Sequence, residues 1–476
     1  MNAYVQPINA EFIVPSECMT KRLKIKKTGG KRKIVISTNW LPLYNFNAGD
    51  DMVARPLGKG KGLVVELVTD LFTTDKKPKK VYQRSYPKRK NCPLETLIEI
   101  SSKKDIDGGF SDDVEELLVK FEFNRLTITE VKTFQSEVLK NAVKAADYSI
   151  FAACTSGVDL HLMEKDHRFT IHSCIEYRPQ EKRDKRDLTE TGALSVLRNL
   201  KKGIKNLFNE DVALIEREQL TKAVEKKPAM LFMASPQCDE YTNVKASSLK
   251  EEHINDLSSS LDMSVDMLKI IECIKAPVIK FEQVVGWYKS DAYKILSLRL
   301  RKFGYKENLL ISSGDKYGGL TGRTRGYAVF SMLDVPFEFE PEIGIRTESI
   351  WPVIEKHMPD CRDISHSKSI QDGFTTGRLR MITKESTKSP TILKGQSRMA
   401  KDTAVIYDND KFYYPSEDLL KELMGFPELK TDCLSKDIAF EVIGQSIDAA
   451  LHSSVARSVK RHIDAFLSTI NTKVAM

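Results

Sequence analysis

From Tyr148 onward, short apolar runs alternate with longer amphipathic stretches. "YSIFAAC", "RFTIHSCIE", "PAMLFMAS" and "APVIKFEQVV" are the length of buried strands, while "GALSVLRNLKKGIKNLF" and "SDAYKILSLRLRKFG" carry apolar residues at helical spacing. Strands that alternate with helices predict βαβ units and a mainly parallel sheet, in which ligands bind beyond the carboxyl ends of the strands. The first 145 residues read differently. "RKIVIST" and "KGLVVELVT" are strand-like, and "ETLIEIS" and "FEFNRLTITEV" alternate apolar and polar at period two, so a small β-rich unit is expected. Helix 134–146, "FQSEVLKNAVKAA", leads from it into the next unit.

Residues 335–412 are rich in Ser, Thr, Arg and Lys, show no helical periodicity and hold few bulky apolar side chains, which predicts an inserted, loop-rich recognition module. After it, "SEDLLKELMGF" and "DAALHSSVARSVKRHIDAFL" are amphipathic helices. The expected organisation is a basic β-rich domain at 1–145, an α/β catalytic domain at 146–334, the recognition module at 335–412, and C-terminal helices at 413–476 that pack back on the catalytic domain.

At 476 residues with 41% apolar content, the chain can build more than one core. It has no apolar run of membrane-spanning length, and "MNAYVQPINAEF" lacks the pattern of a secretory signal, so a cytoplasmic protein without a membrane partner is expected. The eight cysteines form no CxxC pair, which suggests reduced thiols and neither a zinc site nor a disulfide framework.

The net charge of +8 is modest but unevenly spread. Residues 21–33, "KRLKIKKTGGKRK", and 76–90, "KKPKKVYQRSYPKRK", each hold eight basic groups and no acid. Such runs suggest contact with a polyanion, nucleic acid above all, and Tyr82 and Tyr86 within the second strengthen that reading.

The strand ends carry distinctive residues in order: "FAACTSGVDL", "CIEYRP", "LFNEDV", "ASPQCDEYT", "FEQV" and then "GGLTGRTRGY". A lone cysteine such as Cys238 is most often an inert buried thiol. In this series, however, the chain from Tyr148 to its C-terminus resembles the cytosine-C5 DNA methyltransferase family.

That resemblance implies a Rossmann-like α/β fold that uses S-adenosylmethionine (SAM), with Phe151, Ala153, Ser156 and Gly157 in the first methyl-donor loop. The family loop is richer in glycine. Glu176 would accept from the ribose hydroxyls, Tyr177 would lie against the adenine and Asp211 would accept from its amino group. Cys238 would be the nucleophile, in a Pro236-Gln237-Cys238 turn where the family has proline directly before the cysteine. Glu282 would engage the Watson–Crick edge of cytosine, with Gln283 in place of the usual Asn. Arg325 would donate to the cytosine O2, and Arg323 would brace a phosphate or the catalytic loop, with Thr321 where Gln is usual.

Near the C-terminus, "SEDLLKELMGFPEL" resembles the family's Gly-Phe-Pro helix, and Gln445 and Ser446 fall in its Gly-Asn-Ser helix, which completes the donor pocket. The implied partner is double-stranded DNA, read by side chains such as Arg378, Arg380 and Lys394, with no obligate protein partner. A catalytically weakened DNA-binding relative and an RNA cytosine-5 methyltransferase are the competing readings. In the N-terminal part, "NWLPLYNFNAGDDM" followed by "GLVVELV" is similar to small swapped-hairpin DNA-binding modules of the AbrB and SymE type.

Overall fold

The strand segments fold as their periodicities dictate, and a computed structural model describes residues 13–69, 76–89, 93–181, 184–242 and 245–474. Residues 1–12, where a secretory signal was sought, and Cys92 and Lys90 lie outside the described residues. Contacts divide the chain into two units, Met1–Thr133 and Phe134–Met476.

In the first unit, Glu116–Glu122 alternates buried and half-buried positions along its length, as a strand with one face in a core must. It lies in a six-stranded sheet ordered Met19–Lys24, Glu116–Glu122, Arg125–Glu130, Gly62–Leu67, Asp51–Gly58 and Lys79–Lys80. A four-stranded sheet is ordered Lys26–Thr28, Lys31–Ser37, Leu94–Ile100 and Tyr82–Ser85. Both contribute to one core that includes Ile34, Ile98, Leu117 and Leu126. The hairpin Asp51–Gly58 and Gly62–Leu67 is built into the six-stranded sheet, so the swapped-hairpin likeness does not correspond to a separate module.

The second unit is mixed α/β and Rossmann-like. Its strands are β1 (Ser149–Ala153), β2 (Thr170–Ile175), β3 (Asn206–Phe208), β4 (Leu231–Ala234), β5 (Val278–Gln283), β6 (Lys306–Ser313) and β7 (Thr324–Ser331). They are ordered β3-β2-β1-β4-β5-β7-β6. The first five are parallel to their neighbours, and β7 runs antiparallel between β5 and β6. Val278, Tyr327 and Val329 point to one face and meet α1 (Val158–His167) and α5 (Ala449–Val474), while Ile279, Phe281 and Phe330 build the core on the other.

Three boundaries differ from the sequence reading. Helix Phe134–Ala145 belongs with the second unit, because Phe134 stacks on Phe303 at 4.3 Å between ring centroids and Val138 enters the sheet core. Strand Lys411–Tyr414 completes a small sheet with Arg362–Asp363, Ala404–Asp408 and Arg380–Ile382, and a helix, Lys368–Thr375, forms where no helical period was legible. Helices α3 (Glu417–Met424) and α4 (Lys436–Gln445) share the core of that small sheet; α5 is the C-terminal helix packed on the large one.

Candidate active site

The parallel strands end on one side of the large sheet, and the loops that follow them line a cavity of about 1540 Å3. Ser156, Glu176, Tyr177, Asp211, Pro236, Cys238, Glu282, Arg323, Arg325, Gln445 and Ser446 all reach its wall. Phe151, Ala153 and Gly157 do not. Phe151 and Ala153 lie inside β1, fully buried in the sheet core, because the strand runs to Ala153 before the loop begins. Gly157 serves packing: it has φ 82°, and a Cβ there would lie 2.9 Å from the backbone of Val196 in α2 (Thr191–Asn199).

The loop after β1, expected to hold a methyl donor, keeps a glycine-like backbone without the glycines. Cys154 and Ser156 have φ of 56° and 50°, left-handed values that cost a non-glycine residue on the order of 1 kcal/mol or more each. The conformation is held by Glu176, whose Oε2 accepts from the N–H groups of Thr155 at 2.7 Å and Ser156 at 2.9 Å. Burial pushes the Glu176 carboxyl up to about 7, against those two donors. Its Oε1 faces Gly192 of α2, where a Cβ would stand 2.6 Å away. This glycine, which carries no signal in the sequence, lets α2 pack directly against the Glu176 side chain, whose Cγ would lie 2.7 Å from the same Cβ. Asp211 uses one oxygen to accept from Ala213 N–H at 2.9 Å, a turn cap, while still reaching the cavity. Gln445 is exposed, and the Ser446 hydroxyl donates to Ile443 O at 2.7 Å, closing α4.

Across the cavity, Cys238 opens a short helical turn, Asp239–Tyr241, directly after β4. The turn is pinned from β5: the Gln283 amide donates to the Pro236 carbonyl, so the residue that replaces Asn bridges to the turn that carries the nucleophile candidate. Burial pushes the Cys238 thiol up, Asp239 adds to this, and Arg325 and Arg323 pull the other way. Arg325 Nε lies 3.1 Å from Glu282 Oε1, and β7 brings Tyr327 into register with Glu282, which sets Arg325 at the mouth of the cavity.

Arg323 is not free to grip a phosphate. It is 2% exposed, and its guanidinium donates to Ile392 O at 3.0 Å and Gln445 O at 3.2 Å, which ties the recognition segment to the end of α4. Burial, then Arg325, lower its pKa to about 9. Lys394 is likewise engaged, with Glu181 Oε1 at 2.7 Å and Glu441 Oε1 at 3.4 Å, so it cannot read bases unless those pairs break. Arg380 donates to Thr391 O at 3.1 Å, and Arg378 is exposed.

Two buried charges escaped the sequence reading. Asp159, at the start of α1, is 3% exposed and lines the cavity; Lys280, on β5 two residues before Glu282, is 1% exposed. Among the described residues no group of His, Cys, Asp and Glu is arranged to hold a metal, and no helix is long and apolar enough to cross a membrane.

No protein-family model and no curated protein matches the sequence. Solved structures are similar to the chain over 66% of its length. They include the Entamoeba histolytica methyltransferase EhMeth (17% identity, TM-score 0.48, 98% of that chain) and a triple mutant of Spodoptera frugiperda DNMT2 (15%, 0.49, 99%). A prophage-encoded DNA modification methyltransferase from E. coli is also similar (13%, 0.45, 99%).

Proposed function

We propose that the protein is a DNA (cytosine-5) methyltransferase that uses SAM. The observation that carries this reading is that one cavity, at the carboxyl ends of parallel strands, gathers Cys238, Glu282 and Arg325 together with Glu176, Tyr177 and Asp211. The donor fits the second group: among the described residues Glu176 uses Oε2 for the Thr155 and Ser156 N–H groups, which leaves Oε1 for a ribose hydroxyl, and Asp211 offers an acceptor for the adenine amine. SAM supplies an electrophilic methyl group on a sulfonium.

The chain's own residues do the rest. Cytosine C5 is a weak nucleophile, and addition of the Cys238 thiolate to C6 turns the ring into an enamine whose C5 can attack; loss of the C5 proton to a base then expels the thiolate from C6 and restores the aromatic ring, the step that a fluorine at C5 blocks. Arg323 and Arg325 favour that thiolate against burial and Asp239. Glu282, oriented by Arg325, meets N3 and the 4-amino group, so that a shared proton relieves the charge that develops as sulfur adds. Arg325 donates to O2. A cytosine inside a duplex must first leave the stack, at a cost of a few kcal/mol.

Support for a nucleic-acid substrate comes from the first unit. Residues 1–133 hold 24 of the 74 Lys and Arg and 17 of the 66 Asp and Glu, and so +7 of the net +8. Part of each basic run is neutralised within the unit, by pairs such as Lys33 with Glu99 at 2.6 Å and Arg89 with Glu95 at 2.8 Å. Lys26, Lys31 and Arg84 are exposed and form no ion pair among the described residues. Strand register sets all three on one face of the four-stranded sheet, with Tyr82, which is 50% exposed. Such a face suits a phosphate backbone.

The strained donor loop and the raised Cys238 thiol favour a second reading, a protein that binds nucleic acid without turnover. One experiment tests both. DNA containing 5-fluorocytosine, incubated with protein and SAM, should trap the wild type as a covalent adduct and leave Cys238→Ala free. Binding without trapping selects the second reading, and trapping by tRNA but not by duplex DNA selects an RNA substrate.

A further inference from the structure

The cavity contains a buried carboxylate for which the proposed chemistry has not yet given a role. Asp159 is 3% exposed, yet no Lys, Arg or His among the described residues lies within 4.0 Å of it. Its Oδ1 accepts from Leu160 N–H at 2.8 Å, a contact inside its own helix start. A carboxylate taken out of water without a cation at hand is costly, and burial pushes this one up to about 7. A cationic ligand in the cavity would relieve that cost.

Topology fixes where such a ligand would sit. The sheet order is β2-β1-β4-β5; Glu176 follows β2, Asp159 follows β1, and Glu282 ends β5. Asp159 thus stands between the carboxylate assigned to the ribose and the one assigned to the target base. A methyl group that passes from donor to base must cross that interval, so the positive sulfur that carries it must lie at its donor side.

A second buried charge, Lys280, acts on Asp159 and favours its ionised form. Lys280 is buried on the same face of β5 as Glu282, in the apolar layer between the sheet and α1 and α5. Its Nζ lies 3.4 Å from Nδ1 and 3.5 Å from Nε2 of His452 on α5, and 5.9 Å from the ring centre of Tyr327 on β7. Burial, then Lys280, hold His452 well below its ordinary range, so it is neutral and does not compete for the positive charge. Burial draws the Lys280 ammonium down to about 8, and Asp159 and Glu282 sustain it. Glu282 adds to the upward push on Asp159; the other titratable groups that feel Asp159 are Glu176 after β2, Cys174 within β2, and Tyr327, whose hydroxyl is buried without a partner.

We infer that Asp159 is a donor-binding residue whose buried carboxylate receives the sulfonium of the methyl donor, with Lys280 as the counter-charge that keeps it ionised. The inference rests on the methyltransferase reading and adds a residue to it. It gives the enzyme a means to prefer the charged donor over its neutral thioether product, S-adenosylhomocysteine, and so to release the product after transfer.

Calorimetric titration of the full chain with SAM and with S-adenosylhomocysteine tests it without recourse to turnover. At about pH 8 the wild type should bind the sulfonium more tightly than the thioether, by roughly tenfold or more for a charge contact in a closed site. That preference should fade as pH falls below about 7 and Asp159 takes up its proton. Asp159→Asn, nearly isosteric, should bind both ligands alike at every pH. Lys280→Met removes a cation that favours the ionised carboxylate, so it should retain the preference but move its onset to higher pH. Each single variant leaves its buried partner uncompensated and should melt below the wild type; the double variant Asp159→Asn/Lys280→Met removes the pair together, should melt above either single variant, and should still bind both ligands alike, which separates a lost contact from a lost fold. Binding of both ligands with no charge preference in the wild type, or a preference that survives in Asp159→Asn, overturns the assignment alone. Failure of both ligands to bind at any pH overturns the donor reading and the assignment with it.

Discussion

Glu176→Gln should stabilise the protein and disable its donor site, with the two effects separable by pH. The folded carboxyl is raised from its ordinary 4.5 to about 7, so the folded chain holds this proton more tightly than the unfolded chain. The sign follows: ionisation costs nothing below about pH 4.5, and the cost grows until it is complete above about pH 7. A shift of that size corresponds to on the order of 3 kcal/mol. A glutamine keeps an oxygen for the Thr155 and Ser156 N–H groups and has no charge to desolvate. The shift already sets those bonds against burial, so the neutral glutamine should recover most of it, a net stabilisation of about 2–3 kcal/mol at pH 8 and none at pH 4.5. Chemical denaturation at the two pH values measures this, and calorimetry with SAM should show a loss of about 10- to 100-fold in affinity as the ribose acceptor is weakened. A variant less stable than the wild type at pH 8, or one that binds donor unchanged, would refute the reasoning.

Gly192→Ala should harm both fold and donor site. Its Cβ would stand 2.6 Å from Oε1 and 2.7 Å from Cγ of buried Glu176, so overpacking of about 1–3 kcal/mol should outweigh the better helix propensity of alanine and lower the melting temperature, and donor affinity measured by calorimetry should fall about tenfold or more. Arg323→Lys keeps the charge but cannot span the carbonyls of Ile392 and Gln445 with one planar fork; a loss of about 1–3 kcal/mol in denaturation is expected, with slower turnover. Combined Lys26→Gln, Lys31→Gln and Arg84→Gln should flatten the dependence of log affinity on log salt for duplex DNA by about 2 to 3, at roughly 0.9 per phosphate contact, and leave donor affinity unchanged. An unchanged slope would mean that these cations serve to guard sheet edges instead.

The seven-stranded sheet was legible where a strand is a short apolar run closed by a distinctive polar residue, as in "PAMLFMAS" before Cys238 or "APVIKFEQVV" around Glu282. The antiparallel pair β6 and β7 was not singled out, because "KENLLISS" has an exposed edge and its apolar residues give no clean alternation. The recognition module was underread for a related reason: Ile370 and Gly373 are the buried positions of helix Lys368–Thr375, too few to set a period. The candidate site was legible in its ordered acids, arginines and cysteine, since their types state their chemistry. What sequence could not supply was closeness across long separations. Arg323 meets carbonyls 69 and 122 residues away, and nothing local to "TGRTRGY" signals that its first arginine is buried. Lys280 reads as one polar position in a strand, and only burial of both faces of β5 turns it into an interior charge. Gly192 reads as part of a helix start in "TETGALS", and its approach to Glu176 exists only in the fold.

The central claim is methyl transfer to cytosine, and nucleoside analysis tests it most directly. The protein is incubated with SAM labelled in its methyl group and with duplex DNA of diverse sequence, and the DNA is digested to nucleosides and resolved by mass spectrometry. Label in 5-methyldeoxycytidine, absent with Cys238→Ala, is the predicted result. Label in another nucleoside, or in none across all the DNA tried, would contradict it.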